Sequence, residues 1–277
     1  MSTNPDPLQT VARWGATAFG RESHLINRMR PYYEAALARF YGERGIPWAI
    51  NGEAFRIDPR YRHLLGQDWD AEVAAFLAPR LKPGALCLDV GANVGIYVLQ
   101  FCRWTELDGR VIAFEPNDNT RRVLQTHIAM NGLEGRVEVV PDAVSDRVGS
   151  AEFFFADESG MSRLGEANKL LQDLAQKTTV ATTTLDTFCQ GRGLRPDCIL
   201  IDIEGFELHA LRGARDLLAT CPPLELVVEM HPPLWPSAGV TVADWREFLA
   251  ETGLQPVALM GQKDPLTEVG SVYFERR

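Results

Sequence analysis

No pair among the five cysteines of this 277-residue chain has the C-x-x-C spacing, and five is an odd number (Cys87, Cys102, Cys189, Cys198, Cys221). A disulfide framework is therefore not expected, and structural zinc has no support. Cys87 and Cys198 fall inside strand-like apolar runs and read as small buried hydrophobes. No apolar run approaches the roughly 20 residues that a membrane-spanning helix needs. The opening Met-Ser-Thr-Asn-Pro-Asp-Pro carries neither the basic nor the apolar block of a secretory signal, so the expected address is cytoplasmic. Internal repeats and low-complexity tracts are missing too. Lysine is absent from residues 1–80, which hold ten arginines and nine acids for a net of +1, whereas residues 81–277 hold 18 bases and 28 acids, a net of −10. A field of that sign repels phosphate backbones, which speaks against nucleic acid as a partner.

What is present describes a soluble globular chain, 45% apolar and 23% charged. Residues 8–42 are mostly helical in pattern. The run Ile46-Pro-Trp-Ala-Ile50, the turn Asn51-Gly52 and Phe55-Arg-Ile57 predict a short hairpin, because Asn-Gly readily takes the positive φ of tight turns. A helix over 68–81 follows. From residue 84 the texture becomes β-α-β. Strands are expected at 86–90, 111–114, 137–140, 198–201 and 224–228, and helices at 95–103, 117–131 and 206–219. Such alternation predicts a parallel, doubly wound α/β sheet covered on both faces. Two late strands, 256–260 and 271–275, are expected to pair antiparallel at one edge. The segment 143–186 breaks the rhythm with two β-like stretches, 151–155 and 178–184, around a polar excursion at 156–177 read as a lid. The expected organisation is thus an N-terminal helical cap with a hairpin (1–80) and a main domain (81–277).

The sharpest motif is Leu88-Asp89-Val90-Gly91-Ala92-Asn93-Val94-Gly95, an apolar strand entering a glycine turn and then a helix. The carboxyl end of the first strand of a doubly wound sheet borders the ligand crevice, and glycines there let backbone approach a ligand. The dinucleotide fingerprint G-x-G-x-x-G is absent, since Asn93 stands at the second glycine's place and Gly95 comes too early. That favours a ligand without pyrophosphate and disfavours a nicotinamide enzyme. The second strand ends in Glu115-Pro116, and a carboxylate at that point can accept both hydroxyls of a ribose. After the third strand, Asp142 is placed to receive an adenine amino group, and Ala143 to leave room for the ring.

These residues, with Thr184-Leu-Asp186, Asp202-Ile-Glu-Gly-Phe-Glu207, Leu211-Arg-Gly-Ala214 and Glu229-Met-His231, resemble the FkbM family of class I S-adenosylmethionine-dependent methyltransferases. The resemblance covers residues 84–274, while residues 1–60 match nothing in it. It implies a Rossmann-like seven-stranded sheet, S-adenosylmethionine as cofactor, and methyl transfer to a hydroxyl of a sugar, glycan, polyketide or peptide natural product. Carried over by position, it sets Asp89, Gly91, Asn93 and Gly95 around the methionine part, Glu115 on the ribose, and Asp142 with Ala143 at the adenine.

Asp202 ends the fourth strand, and Glu229 and His231 end the fifth. Neighbouring parallel strands would bring all three to one crevice. An alcohol is a poor acid, so a base beside it assists as the new O–C bond forms. Asp202 and His231 are the candidates, His231 because a neutral imidazole is available near pH 7. Glu204, Glu207 and Glu229 are candidates for binding acceptor hydroxyls, although Glu207 could equally be a surface acid in the first turn of its helix. Asp202 and Glu229 are hard oxygen ligands able to hold Mg²⁺, but with so few in view a catalytic metal is not expected. His24, His63, His127 and His209 are expected in surface or cap positions. Two rivals remain, a cofactor-binding module without turnover and an N-methyltransferase acting on a small metabolite. The acceptor's identity and the oligomeric state are not encoded in any motif found.

Overall fold

The computed structural model describes residues 24–155, 162–164, 176–221 and 224–276. The expected helical pattern before residue 24 lies outside these residues, as does the expected lid at 156–177 apart from 162–164 and 176–177. The front segment contains helix α1 (His24–Tyr41), strands β1 (Ile46–Ile50) and β2 (Glu53–Ile57), and helix α2 (Ala71–Leu77). β1 and β2 pair antiparallel around Asn51 (φ 48°) and Gly52 (φ 81°), the positive dihedrals that the Asn-Gly turn predicts. The hairpin is not free-standing. Ile46, Ile50, Ile57 and Leu65 share a buried cluster with Val94, Ile96, Leu99 and Val123 of the main domain. The turn also clamps the next loop: Asn51 donates through its backbone N to Gln67 O and through Nδ2 to Trp69 O, both at 2.7 Å.

The main domain is built on β3 (Leu86–Val90), β4 (Arg110–Phe114), β5 (Val137–Val140), β10 (Cys198–Ile201), β11 (Glu225–Met230), β12 (Leu254–Ala258) and β13 (Gly270–Arg276). They form one seven-stranded sheet in the order β12-β13-β11-β10-β3-β4-β5. The five strands from β11 to β5 are parallel, as their near-continuous apolar runs require of strands covered on both faces. The two late strands pair antiparallel at one edge, as expected, with β12 outermost and β13 between it and β11, antiparallel to both. Val272 and Phe274 are buried along it, and an interior position covers them.

Helices α3 (Ile96–Trp104) and α4 (Asp118–Met130) cover one face together with α2. On that face Val73, Leu77, Val98, Phe101, Leu124 and Ile128 pack on Cys87, Val111, Ala113, Cys198, Leu200 and Val227. The other face is covered by α5 (Leu185–Gln190), α6 (Glu207–Arg212), α7 (Arg215–Thr220) and α8 (Val242–Thr252), packed on Leu88, Val90, Ile199, Ile201, Leu226 and Val228. All five cysteines are free and buried. A separate four-stranded sheet, β6-β9-β7-β8, is made by β6 (Ala143–Val144), β7 (Gly149–Phe155), β8 (Ser162–Leu164) and β9 (Gln176–Thr183). It is the insertion anticipated from the break in rhythm, and it stands beside the carboxyl ends of the main strands.

The helix expected over 206–219 is two helices. A Cβ on Gly213 would come within 2.2 Å of Ser145 O, so the chain is pressed against the end of β6 at that point and cannot carry a side chain there. The Gly213 carbonyl instead accepts from Asp186 N at 2.9 Å, and the Asp186 carboxylate accepts from Asp216 N and Leu217 N at 3.0 and 2.8 Å, capping α7. Thr184 caps α5 through Thr187 N. The Thr-Leu-Asp motif is thus a double helix cap. Asp186→Ala is expected to lower stability by about 0.5–2 kcal/mol, the usual cost of a lost cap. A shifted urea midpoint with unchanged cofactor affinity would show it.

Candidate active site

Hydrogen bonds continue past the strand ends and draw three loops together. Gly91 N and Ala92 N both donate to Phe114 O at 3.0 Å, Glu115 N to Val140 O at 3.0 Å, and Asp202 N to Val90 O at 2.9 Å. Gly91 (φ +91°) is where the β3 and β10 ends meet, since a Cβ there would fall 1.8 Å from the Asp202 carbonyl oxygen. What excludes a side chain at Gly91 is therefore neighbouring backbone, not only a ligand. At Gly95 (φ +95°) a Cβ would strike Leu124 Cδ1 at 2.5 Å, so this glycine faces α4 and does not line the crevice. His127, expected at the surface, is fully buried and braces the same turn by donating from Nδ1 to Val94 O at 2.8 Å.

Glu115 is 4% exposed and ties the turn to the following loop. Its Oε2 accepts from Asn93 N and its Oε1 from Asn117 N, both at 2.8 Å. Burial pushes its carboxyl up to about 7, against the pull of those two backbone donors and of Arg121. Asp89 is 1% exposed, and its Oδ2 has no hydrogen-bond partner. Burial, and then the charge of Glu115, raise it to about 8. An orphaned, deeply buried carboxylate oxygen under a glycine turn suits a ligand that brings an ammonium group. Gly91, Asn93, Glu115, Asp142 and Ala143 line an open cleft of about 600 Å³, and Asp202 and Glu204 line its other side. Phe153 of the insertion contributes a wall.

Beyond Asp202 the chain turns sharply through Glu204 (φ 52°) and Gly205 (φ +103°), where a Cβ would meet Leu234 Cβ at 2.8 Å. The turn returns Glu207 into the protein. Glu207 was a candidate for binding acceptor hydroxyls or for a surface acid, but it is fully buried and its carboxylate is taken up by three donors. Oε1 accepts from Gly205 N at 2.7 Å and from His231 Nδ1 at 2.9 Å, and Oε2 accepts from Trp235 Nε1 at 3.1 Å. It faces the imidazole, not the cleft.

His231 Nε2 is then aimed at three more carboxylates, 3.7 Å from Glu229 and 3.9 Å from both Asp202 and Glu204. Burial works against a charge on this ring, but the Glu207 hydrogen bond and the surrounding acids outweigh it and push His231 up to about 10. The neutral imidazole expected near pH 7 is thereby corrected: four carboxylates make it an imidazolium. Asp202 is driven well above the usual carboxylate range by burial and by Glu229, and Glu229 is raised by burial as well. Asp202, Glu229 and His231 offer ligand atoms within 4.8 Å of one another, a spacing that a metal ion could bridge. His231 Nε2 lies at that convergence.

Sequence reasoning expected Asp202, Glu229 and His231 at one crevice, where the structure does group these three, with Glu204 beside them. It missed Asp70 and Tyr97. Tyr97 Oη donates to Asp70 at 3.1 Å, and the charges of Glu229 and Asp202 both reach this phenol. Asp70 precedes a helix and resembles any helix-capping acid in sequence, so no local signal marks it.

The profile described as "Methyltransferase FkbM domain" matches residues 89–256, running from the glycine turn past the His231 loop into β12. The chain belongs to the FkbM family of S-adenosylmethionine-dependent methyltransferases. Among solved structures, a methyltransferase FkbM from Methylobacillus flagellatus KT is 18% identical, with a TM-score of 0.48 over 71% of this chain and 44% of that one. This chain thus spans less than half the length of that relative. An O-methyltransferase from Bacillus cereus in complex with SAH is 16% identical, with a TM-score of 0.47 over 78% of this chain and 84% of its own. Cofactor-bound Rv0187 from MTB is 15% identical, with a TM-score of 0.46 over 98% of both chains. Among curated proteins, none matches significantly.

Two outcomes are expected of these titrating groups. Glu115 and Asp89 have folded values of about 7 and 8, above the ordinary acid range, so they favour the folded state at low pH and this contribution fades as pH rises toward 8. A cationic, hydroxyl-bearing ligand prefers them ionised. Affinity for S-adenosylmethionine should therefore rise from pH 6 to pH 8.5, with Asp89→Asn weakening binding and flattening the profile in calorimetry. Separately, ring-proton NMR should show His231 still protonated at pH 8 in the wild type. In Glu207→Gln its titration should move down toward the neutral range.

Proposed function

We propose that this chain is an O-methyltransferase that uses S-adenosylmethionine to methylate a hydroxyl of a small-molecule or glycan acceptor, either a sugar or a secondary metabolite of the polyketide or peptide type. One observation carries the reading. The turn that suits the cofactor (Gly91, Asn93, Glu115) and the acid that suits proton removal (Asp202) follow neighbouring parallel strands and line one cleft, with Glu229 grouped beside Asp202.

When bound, the cofactor supplies a methyl group already activated by a sulfonium, so the protein's task is alignment and proton removal. Asp89, with its unpartnered Oδ2, suits the ammonium of the methionine part. Glu115 has lone pairs remaining on both oxygens for the ribose hydroxyls, and Asp142 with Ala143 stands at the rim for the base. Asp202 is the better base of the two candidates. Burial and the charge of Glu229 drive its carboxyl well above the usual range, which makes its carboxylate form the more avid proton acceptor. With S-adenosylmethionine as methyl donor, Asp202 would take the proton of the acceptor hydroxyl, with Glu229 beside it. His231, as the imidazolium, holds those carboxylates in place, and Glu207 positions His231. Glu204, on the cleft wall, is the residue we assign to a further acceptor hydroxyl.

The charge of the main domain supports a polar, non-nucleic acceptor, since its acids outnumber its bases by ten. No helix among the described residues is long and apolar enough to cross a membrane. The test is Asp202→Asn. Turnover, followed as labelled methyl transferred to a glycoside or aglycone, should fall by about a hundredfold or more, the usual worth of a positioned base. Calorimetric affinity for S-adenosylhomocysteine should stay close to wild type. Equal losses in both would make Asp202 a cofactor ligand, and a wild-type protein that binds neither form of the cofactor would end the proposal.

A further inference from the structure

The cleft has an apolar end, and the inserted sheet helps to build it. Gly91, Glu115 and Asp142 follow three adjacent parallel strands, β3, β4 and β5. With neighbouring strands about 4.8 Å apart, the Asp142–Ala143 end lies about 10 Å from the glycine turn. A ligand with its methionine part at Asp89 and its ribose at Glu115 therefore brings its base to that end. There Ala143 is buried in a cluster with Phe153 of β7 and Val180 of β9, and Phe206 packs against the same cluster. Phe153 and Phe206 both line the cleft. Phe153 is 3% exposed and forms a fixed wall, whereas Phe206 is half-buried and has ring surface to offer. A flat purine gains from stacking on such a surface, and a sugar hydroxyl does not.

Phe206 is also held by a second ring. His209 of α6 lies against it, with ring centroids 5.3 Å apart and planes at 31°. The imidazole is itself pinned at both nitrogens, since Nδ1 is 3.2 Å from Asp146 Oδ2 and Nε2 is 3.0 Å from Ala238 O. Asp146 stands in the turn between β6 and β7, and Ala238 in the loop after β11. One ring thus joins the insertion, the helix that Phe206 precedes and the loop that follows His231. The insertion meets the far end of the same helix a second time, where the Ser145 carbonyl closes on Gly213. Two contacts fasten the inserted sheet to α6, so Phe153 and Phe206 keep a fixed mutual position although they belong to different elements. A surface set in advance binds its ligand with less loss of freedom.

We infer that Phe206 and Phe153 form the platform on which the adenine of the cofactor lies, and that His209, bonded to Asp146, is the positioning residue that keeps Phe206 at the cleft. This rests on the methyltransferase reading above and makes the inserted sheet part of the cofactor site. The two rings take the face of the base, and Asp142 is left for its amino edge. Asp202 and Glu204, on the other side of the cleft, stay clear for the acceptor. Affinity for the base thus depends on a segment outside the alternating core, and it is transmitted through one histidine.

The experiment combines isotope-filtered NMR and calorimetry on the full-length protein, with S-adenosylhomocysteine and 5′-methylthioadenosine as probes. In the wild type, the ring protons of Phe153 and Phe206 should show intermolecular NOEs to adenine H2 or H8 of S-adenosylhomocysteine. Phe206→Ala should weaken that ligand by about tenfold, as loss of a base-stacking ring does. 5′-Methylthioadenosine, which has the base but no amino acid, should weaken by the same factor, and Phe206→Trp should stay close to wild type. His209→Ala should cost about threefold through the loosened ring, with His209→Gln, which can still donate to Asp146, returning toward wild type. The inference fails if S-adenosylhomocysteine binds the wild type without those NOEs, or binds Phe206→Ala as tightly as the wild type. Equal affinity in wild type and His209→Ala would overturn the role of His209. Failure of the wild type to bind S-adenosylhomocysteine at all would instead overturn the methyltransferase reading.

Discussion

A single buried carboxylate organises the reacting end of this protein. Glu207 has no contact with solvent and spends its lone pairs on the backbone of Gly205, the indole of Trp235 and the imidazole of His231. Those donors come from the turn after β10 and the loop after β11, so one side chain fixes the relative position of two strand ends. It also fixes a charge state. An unpaired carboxylate at such depth would be costly, and an imidazolium beside it answers that charge. Once the ring is cationic, Asp202, Glu204 and Glu229 can crowd around Nε2 without mutual repulsion expelling one of them.

The acidity of the chain takes on a definite meaning in this light. An excess of ten acids in the main domain reads in the sequence as a solvated, phosphate-repelling surface. In the fold, an important share of it is not at the surface. Asp89 and Glu115 are buried under the glycine turn, and Asp202 and Glu229 stand beside His231. Burial raises all four carboxyls above the ordinary acid range.

The front segment and the inserted sheet both pack on the main domain. The hairpin turn at Asn51 grips the loop that ends in Trp69 and Asp70, and Phe153 of the insertion forms part of the cleft wall. Neither element belongs to the alternating core, and each is anchored to it by buried apolar contacts, Ile50 and Ile57 for the hairpin and Val144 for the insertion.

Much of this was legible in the sequence, because it depends on local rules. Apolar runs, a glycine turn and strand-terminal acids specify a doubly wound sheet and name Asp89, Glu115, Asp202, Glu229 and His231, since a strand's carboxyl end points where the topology sends it. Other features depended on distances between segments far apart in the chain, which no local pattern carries. The Ser145 carbonyl lies against Gly213, where the expected helix divides in two. Glu207 looked like an acid of an exposed first turn until the sharp bend at Glu204 and Gly205 turned it inward. The protonation of His231 could not be read from its type, because a pKa is set by the charges that the fold assembles around the ring. The bond from Tyr97 to Asp70 joins residues 27 positions apart. Sequence alone thus determined the sheet and the residue types at its strand ends, whereas tertiary structure decided which of them are charged, which are buried, and which distant residues join them.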